Sequence, residues 1–134
     1  MLTTRFTELV GCSIPIQQAA IGGLATPALA AAVAQAGGLG MVCMYWSPPG
    51  VIEKVLDDLR EQTSGIFGVN FIMRFVDPAL AHEVVAVAAA RANVVEFFYT
   101  DPDPSLIEIV HAGGALACWQ IGSQAEAAAA VDAG

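Results

Sequence analysis

Charge is what this chain has least of. Only 13% of its 134 residues are Asp, Glu, Lys or Arg, about half the share of an ordinary soluble domain. Five of these are basic against 13 acidic, a formal net charge of −8. That balance excludes nucleic acid as a partner, because counterion release needs clustered Lys and Arg. Cysteine is scarce too: Cys12, Cys43 and Cys118 are an odd number, spaced neither as a disulfide framework nor as the close pairs of a zinc site. They read as isolated thiols behaving as small hydrophobes, and no metal is expected. Long apolar runs are missing as well. The most apolar stretch, Ala28 to Trp46, is broken by Gln35, Gly37, Gly38 and Gly40, and Met1 to Arg5 lacks the pattern of a signal peptide. A cytoplasmic protein with no membrane partner is the expectation.

What is present is a regular alternation. Ile14 to Ala20 is a short extended segment, followed by the loop Ile21-Gly22-Gly23-Leu24-Ala25 and then Thr26-Pro27. Thr as N-cap with Pro in the first turn starts a helix running to about Ala36, with Gly37 placed for a left-handed cap. Leu39 to Met44 is an uncharged second strand. Ser47-Pro48-Pro49 opens a helix whose Val51, Ile52, Val55, Leu56 and Leu59 fall on one face. Ile66 to Phe71 is a third strand, and Asp77-Pro78 predicts a helix through Arg91. Val94 to Phe98 is a fourth strand, followed by a helix to about His111. Ala115 to Gln120 is a fifth strand, and Ser123-Gln124-Ala125-Glu126 is a capping box opening a last helix.

Uncharged strands, each followed by a helix, are the signature of parallel crossovers, so the class is α/β. Two architectures fit. One is the first five βα units of a (β/α)8 TIM-type barrel, and the other is a complete five-stranded flavodoxin-like sheet. In both, ligands sit at the carboxyl ends of the strands. The loop Ala19-Ala20-Ile21-Gly22-Gly23 lets a flat ligand approach the backbone, or is simply a tight turn before Thr26. Asn70 either ties down a neighbouring loop or hydrogen-bonds a heteroaromatic ring. Glu96, the one charge in its strand, is either a partnered structural carboxylate or the partner of a cation or cofactor. Gln120 closes the fifth strand as a ligand-orienting candidate. His82 reads as solvent-facing on its helix and His111 as a helix-end cation. No Ser/His/Asp set or metal cluster can be assembled, and the catalytic residues stay unknown.

These residues carry a resemblance. The run from Ile14-Pro15-Ile16 through Gly22-Gly23, Thr26-Pro27 and Ala36-Gly37-Gly38-Leu39-Gly40 resembles the opening of nitronate monooxygenases, formerly called 2-nitropropane dioxygenases. Phe67-Gly68-Val69-Asn70 is similar to that family's third strand, and Ile121-Gly122-Ser123 with Glu126-Ala127 to its fifth unit. The resemblance implies that residues 1–134 are the N-terminal portion of a single FMN-binding barrel domain, truncated before the family's catalytic His and main phosphate-binding glycines. It implies FMN against the backbone of Ala20, Ile21 and Gly22, with Asn70 hydrogen-bonding the flavin; Gln120 joins them as a cofactor contact from its place at the end of the fifth strand. The implied activity is an oxidoreductase reaction, an alkyl nitronate as small-molecule substrate oxidised by dioxygen, expected of the full-length enzyme rather than of these residues alone. Where the family has Pro-Met after the first strand, this chain has Ala20-Ile21. The alternatives are a flavin-dependent enoyl reductase or other NAD(P)H-using FMN barrel enzyme, and a non-enzymatic flavodoxin-like binding module. A partial barrel exposes strand edges, which predicts self-association into a homo-oligomer.

Overall fold

Proline and glycine punctuate this chain, and the helices begin and end where they fall. The computed structural model describes residues 2–44 and 46–134; Met1 and Tyr45 lie outside the described residues. The helices are α1 (Arg5–Val10), α2 (Pro27–Gln35), α3 (Pro49–Gln62), α4 (Ala81–Ala89), α5 (Pro104–Ala112) and α6 (Gln124–Asp132). The strands are β1 (Gly40–Cys43), β2 (Phe67–Ile72), β3 (Val94–Phe98) and β4 (Leu116–Trp119). Thr26 caps α2 by accepting from the Leu29 N–H at 3.2 Å, with Pro27 at the first helical position. Asp103 caps α5 in the same way through the Ser105 N–H at 2.8 Å. Ser123 caps α6, although Glu126 reaches back to the Gly122 N–H and to the Ser123 hydroxyl instead of closing the box on the Ser123 N–H.

The sheet order decides between the two architectures. All four strands are parallel and run β1-β2-β3-β4, each beside its neighbour in sequence. A doubly wound sheet reverses its order at a switch point and carries helices on both faces. Here there is no reversal, and α2, α3, α4 and α5 pack side by side against one face. This is the wall of a (β/α) barrel, and the flavodoxin-like alternative is excluded.

Because side chains alternate along a strand, the two faces of the wall carry separate sets. Outward, Val42, Phe67, Val69, Phe71, Val95 and Phe97 meet Ile52, Leu56 and Leu59 of α3, Val84, Val85 and Ala88 of α4, and Leu106 and Val110 of α5. Fully burying one such side chain contributes about 1.5–3 kcal/mol, so this helix-facing layer carries most of the stability. Inward, the strand starts contribute Leu39, Met41 and Val94, covered by Phe6 and Val10 of α1. The concave face is therefore apolar where the strands begin, and its polar groups lie where they end.

Two expectations are corrected. Ile14 to Ala20 is not a strand: it makes one parallel bridge, Gln17 to Leu39, with Leu39 N donating to Ile16 O and Gln18 N to Leu39 O. Beyond that bridge the Gln18 side chain replaces the backbone as partner of Met41, so the ladder stops while its place beside β1 is kept. The helix expected from Asp77-Pro78 starts at Ala81, because Asp77 uses its carboxylate on the Ala79 N–H and its carbonyl on the Leu80 N–H, closing a turn first. It ends at Ala89, not Arg91. The helix that Ser47-Pro48-Pro49 opens has Pro48 as its cap, with no side-chain bond. A helix with no apolar run ahead of it, α1, was invisible to hydrophobic periodicity: Thr4 accepts from the Thr7 N–H while the Thr7 hydroxyl accepts from the Thr4 N–H, a reciprocal box built from two threonines.

Candidate functional site

The register of the sheet brings four inward side chains into one row. Cys43 stands opposite Asn70, Asn70 opposite Glu96, and Glu96 opposite Cys118. Each neighbour touches the next. The Cys43 thiol donates to Asn70 Oδ1 at 3.7 Å, Asn70 Nδ2 donates to Glu96 Oε2 at 2.9 Å, and the Cys118 thiol donates to Glu96 Oε1 at 3.9 Å. Gln17 closes the row from above β1, its Nε2 donating to Glu96 Oε1 at 2.9 Å. The row below is Met41, Gly68, Val94 and Leu116. A Cβ on Gly68 would lie 2.7 Å from Met41 Sδ, so the missing side chain is the space that Met41 fills.

Above the polar row lies a cleft of about 520 Å3. Its walls include Gln17, Gln18, Ala20, Ile21 and Gly22 on one side, Asn70, Ile72 and Glu96 on the floor, and Phe98, Tyr99 and Gln120 on the other side. All five residues read from the sequence as cofactor contacts, Ala20, Ile21, Gly22, Asn70 and Gln120, line this one cleft. Among the described residues the backbone N–H groups of Ala20 and Gly22 reach no protein acceptor, while Ala19 and Ile21 carbonyls are taken by the turn itself. Two donors are thus left for a ligand at the cleft wall.

Asn70 is 4% exposed and Glu96 9%. A buried carboxylate needs partners, and Glu96 has two amide N–H groups and a thiol but no cation among the described residues. Burial, and then the Glu96 charge and hydrogen bond, push the Cys118 thiol up to about 11, so it is neutral at physiological pH. Tyr99 at the end of β3 has φ 59°, a left-handed backbone that side chains rarely adopt. Its ring stacks on Phe98 at 3.9 Å between centroids and lies 5.6 Å from the Arg74 guanidinium.

The sequence reading missed Gln17, Gln18, Phe98 and Tyr99 as cleft walls. The Gln17-Gln18 pair before a glycine loop was the available signal; nothing local marks Tyr99. Neither histidine lines the cleft. His82 is exposed and its Nε2 lies 3.4 Å from Ser105 Oγ, while Ser105 Oγ donates to Asp103 Oδ1 at 2.8 Å. The carboxylate thus binds the serine and not the imidazole, which is the wrong order for a catalytic triad. His111 occupies the last turn of α5, as its helix-end reading required. Among the described residues no cluster of metal-binding side chains exists, and no helix is long and apolar enough to cross a membrane.

Comparison with known proteins places this geometry. The family model described as nitronate monooxygenase matches residues 3–81, more than half of the chain. A nitronate monooxygenase of Pseudomonas aeruginosa is 44% identical over 69 residues, covering 52% of this chain and 20% of that enzyme. A probable nitronate monooxygenase of Staphylococcus aureus is 38% identical over 66 residues, 49% of this chain and 19% of that protein. Among solved structures, FabK from Thermotoga maritima superimposes with a TM-score of 0.90 at 32% identity, over 100% of this chain and 42% of that one. Nitroalkane oxidase from Streptomyces ansochromogenes superimposes with a TM-score of 0.78 at 28% identity, over 98% of this chain and 46% of that one. The chain spans less than half the length of each of these structures.

Proposed function

The chain belongs to the nitronate monooxygenase family, and from that premise we propose that its cleft holds the ring system of FMN and serves the oxidation of an alkyl nitronate by dioxygen in the complete barrel. The observation that carries this reading is the convergence of Ala20, Ile21, Gly22, Asn70 and Gln120 on one cleft at the carboxyl ends of the strands.

The residues present fit a flat heteroaromatic ring. Two unused backbone N–H groups at Ala20 and Gly22 and the amides of Gln17, Asn70 and Gln120 offer both donors and acceptors, and Phe98 and Tyr99 supply an apolar wall. They fit a phosphate less well. The N-terminus of α6 opens beside the cleft, but the Glu126 carboxylate already accepts the Gly122 N–H at 2.7 Å. We therefore assign the ring, and not the phosphate, to this cleft. FMN held here would supply the electron transfer between nitronate and dioxygen. The chain's own part is to bind, orient and shield. The loop at Ala20 to Gly22 admits the ring to the backbone, Asn70 and Gln120 fix its edge, and the aromatic pair at Phe98 and Tyr99 keeps water from one side. Cys118, neutral in this pH range, stays out of nucleophilic chemistry.

The test is retention of flavin. A barrel comprising this chain and its remaining units is expected to carry FMN through gel filtration and to consume oxygen when given an alkyl nitronate. Asn70→Leu is expected to lose flavin with the fold intact. Flavin that elutes free, or a substitution at Asn70 that changes nothing, overturns the proposal. Oxidation of NADH without any response to nitronate would instead assign the cleft to a nicotinamide-using flavin reductase.

A further inference from the structure

A carboxylate can only accept hydrogen bonds, and that constraint propagates to its neighbours. Both oxygens of Glu96 are used by amide N–H groups, one from Gln17 and one from Asn70, each at 2.9 Å. The amide nitrogen of Asn70 must therefore face β3, and its oxygen must face β1, where the Cys43 thiol donates to it. Gln17 is likewise turned with its nitrogen down, which leaves its oxygen unengaged above the floor. Were residue 96 an amide, only one of its ends could accept, and Gln17 could turn its oxygen down instead of its nitrogen. The row also sets one negative charge under the cleft, with no Lys or Arg among the residues that touch it. Among the described residues the ion pairs lie outside the cleft instead, Lys54 with Asp58 in α3 and Arg91, just past α4, with Glu53 and Asp57.

We propose that Glu96 is a positioning residue for the bound ring: its carboxylate fixes which atoms of Gln17 and Asn70 the cleft presents, and its charge opposes placing an added electron on a ligand above it. The inference rests on the assignment of this cleft to the flavin ring. It differs from that assignment in concerning a residue that sits beneath the ligand and acts through two others. A carboxylate is costly to bury, and here the cost is met by two amide donors whose orientation it fixes.

The test uses the complete barrel and FMN, followed by quenching of flavin fluorescence, by the midpoint potential of the bound flavin and by the melting temperature. Glu96→Gln keeps the volume and removes both the charge and the acceptor-only constraint. It is expected to bind FMN about tenfold more weakly and to raise the midpoint potential. Glu96→Asp keeps the charge but is too short to reach both amides; it is expected to weaken binding while leaving the potential at the wild-type value, and it serves should the Gln variant not fold. A purely structural carboxylate would shift the melting temperature in both variants and leave affinity and potential unchanged. That result overturns the inference while wild-type binding upholds the cofactor reading. Failure of the wild-type barrel to quench flavin fluorescence overturns both.

Discussion

The side-chain amide of Gln18 lies along the backbone of Met41, donating from Nε2 to the Met41 carbonyl at 3.0 Å and accepting the Met41 N–H at Oε1 at 3.5 Å. It occupies the place a next residue of a paired strand would take. The segment from Ile16 to Gln18 thus covers the edge of β1 with one backbone bridge and one side chain, and the chain is released at Ala19 to form the cleft wall. Gln18→Leu removes both bonds and leaves two polar groups of a buried residue unpaired. It is expected to cost about 1–3 kcal/mol in urea unfolding and to speed hydrogen exchange at Met41. Unchanged exchange there would show that the amide carries no part of the ladder.

Close approach, and not flexibility, explains Gly40. A Cβ at this position would lie 2.0 Å from the Ala30 carbonyl oxygen, which is backbone of α2 and cannot swing away. Gly40→Ala is expected to destabilise the chain by about 2–4 kcal/mol, since α2 must lift from the sheet. Gly50, in the first turn of α3, is the matching control. A Cβ there meets nothing within 4 Å, and Gly50→Ala is expected to stabilise by about 0.5–1 kcal/mol. Equilibrium unfolding of the two variants side by side checks opposite signs for the same chemical change.

The strands of the wall were legible because they are uncharged and bounded by glycine and proline: Val94–Phe98 agrees end to end, and the others agree within one or two residues. The strand expected at Ile14 to Ala20 is absent, because a glutamine amide takes the place of backbone there and such a substitution leaves no trace in periodicity. The same limit applies to the site. Ala20, Ile21, Gly22, Asn70 and Gln120 could be named by their place at strand ends, a property of order along the chain. The row from Cys43 to Cys118 depends on register between strands, and a shift by one residue would send all four side chains to the other face. Register is a tertiary fact. So is the cation-free surrounding of Glu96, which sequence separation could not reveal.

Tyr99 tests whether strain is held at the cleft by its ring. With φ at 59°, the backbone is strained for any side chain, and the ring's contacts with Phe98 and Arg74 offset this. Tyr99→Ala keeps the strain and loses the contacts, whereas Tyr99→Gly loses both. The glycine variant is therefore expected to be more stable than the alanine variant by about 1–2 kcal/mol in urea unfolding. Equal stability of the two would mean that the backbone relaxes out of the left-handed region once the ring is gone.

Cys118 makes the inner row visible to pH. Its thiol is raised from the ordinary 9.0 to about 11, first by burial and then by Glu96. The folded chain therefore holds this proton more tightly than the unfolded one. Below pH 9 both states are protonated and the stability from this group is fully present. As pH rises from about 9 to about 11 the unfolded chain gives up the proton first, and stability falls. At 1.4 kcal/mol for each tenfold change in proton affinity the loss amounts to about 2–3 kcal/mol. Other groups titrate in that range, so the quantity to measure is the difference between wild type and Cys118→Ala, which should converge with rising pH. Alkylation of Cys118 in the folded chain should reach half its maximal rate near pH 11. In Glu96→Gln that midpoint should move down but stay above 9, because burial, the larger cause, remains. A midpoint at 9 in the wild type would place the thiol in water and take Cys118 out of the row.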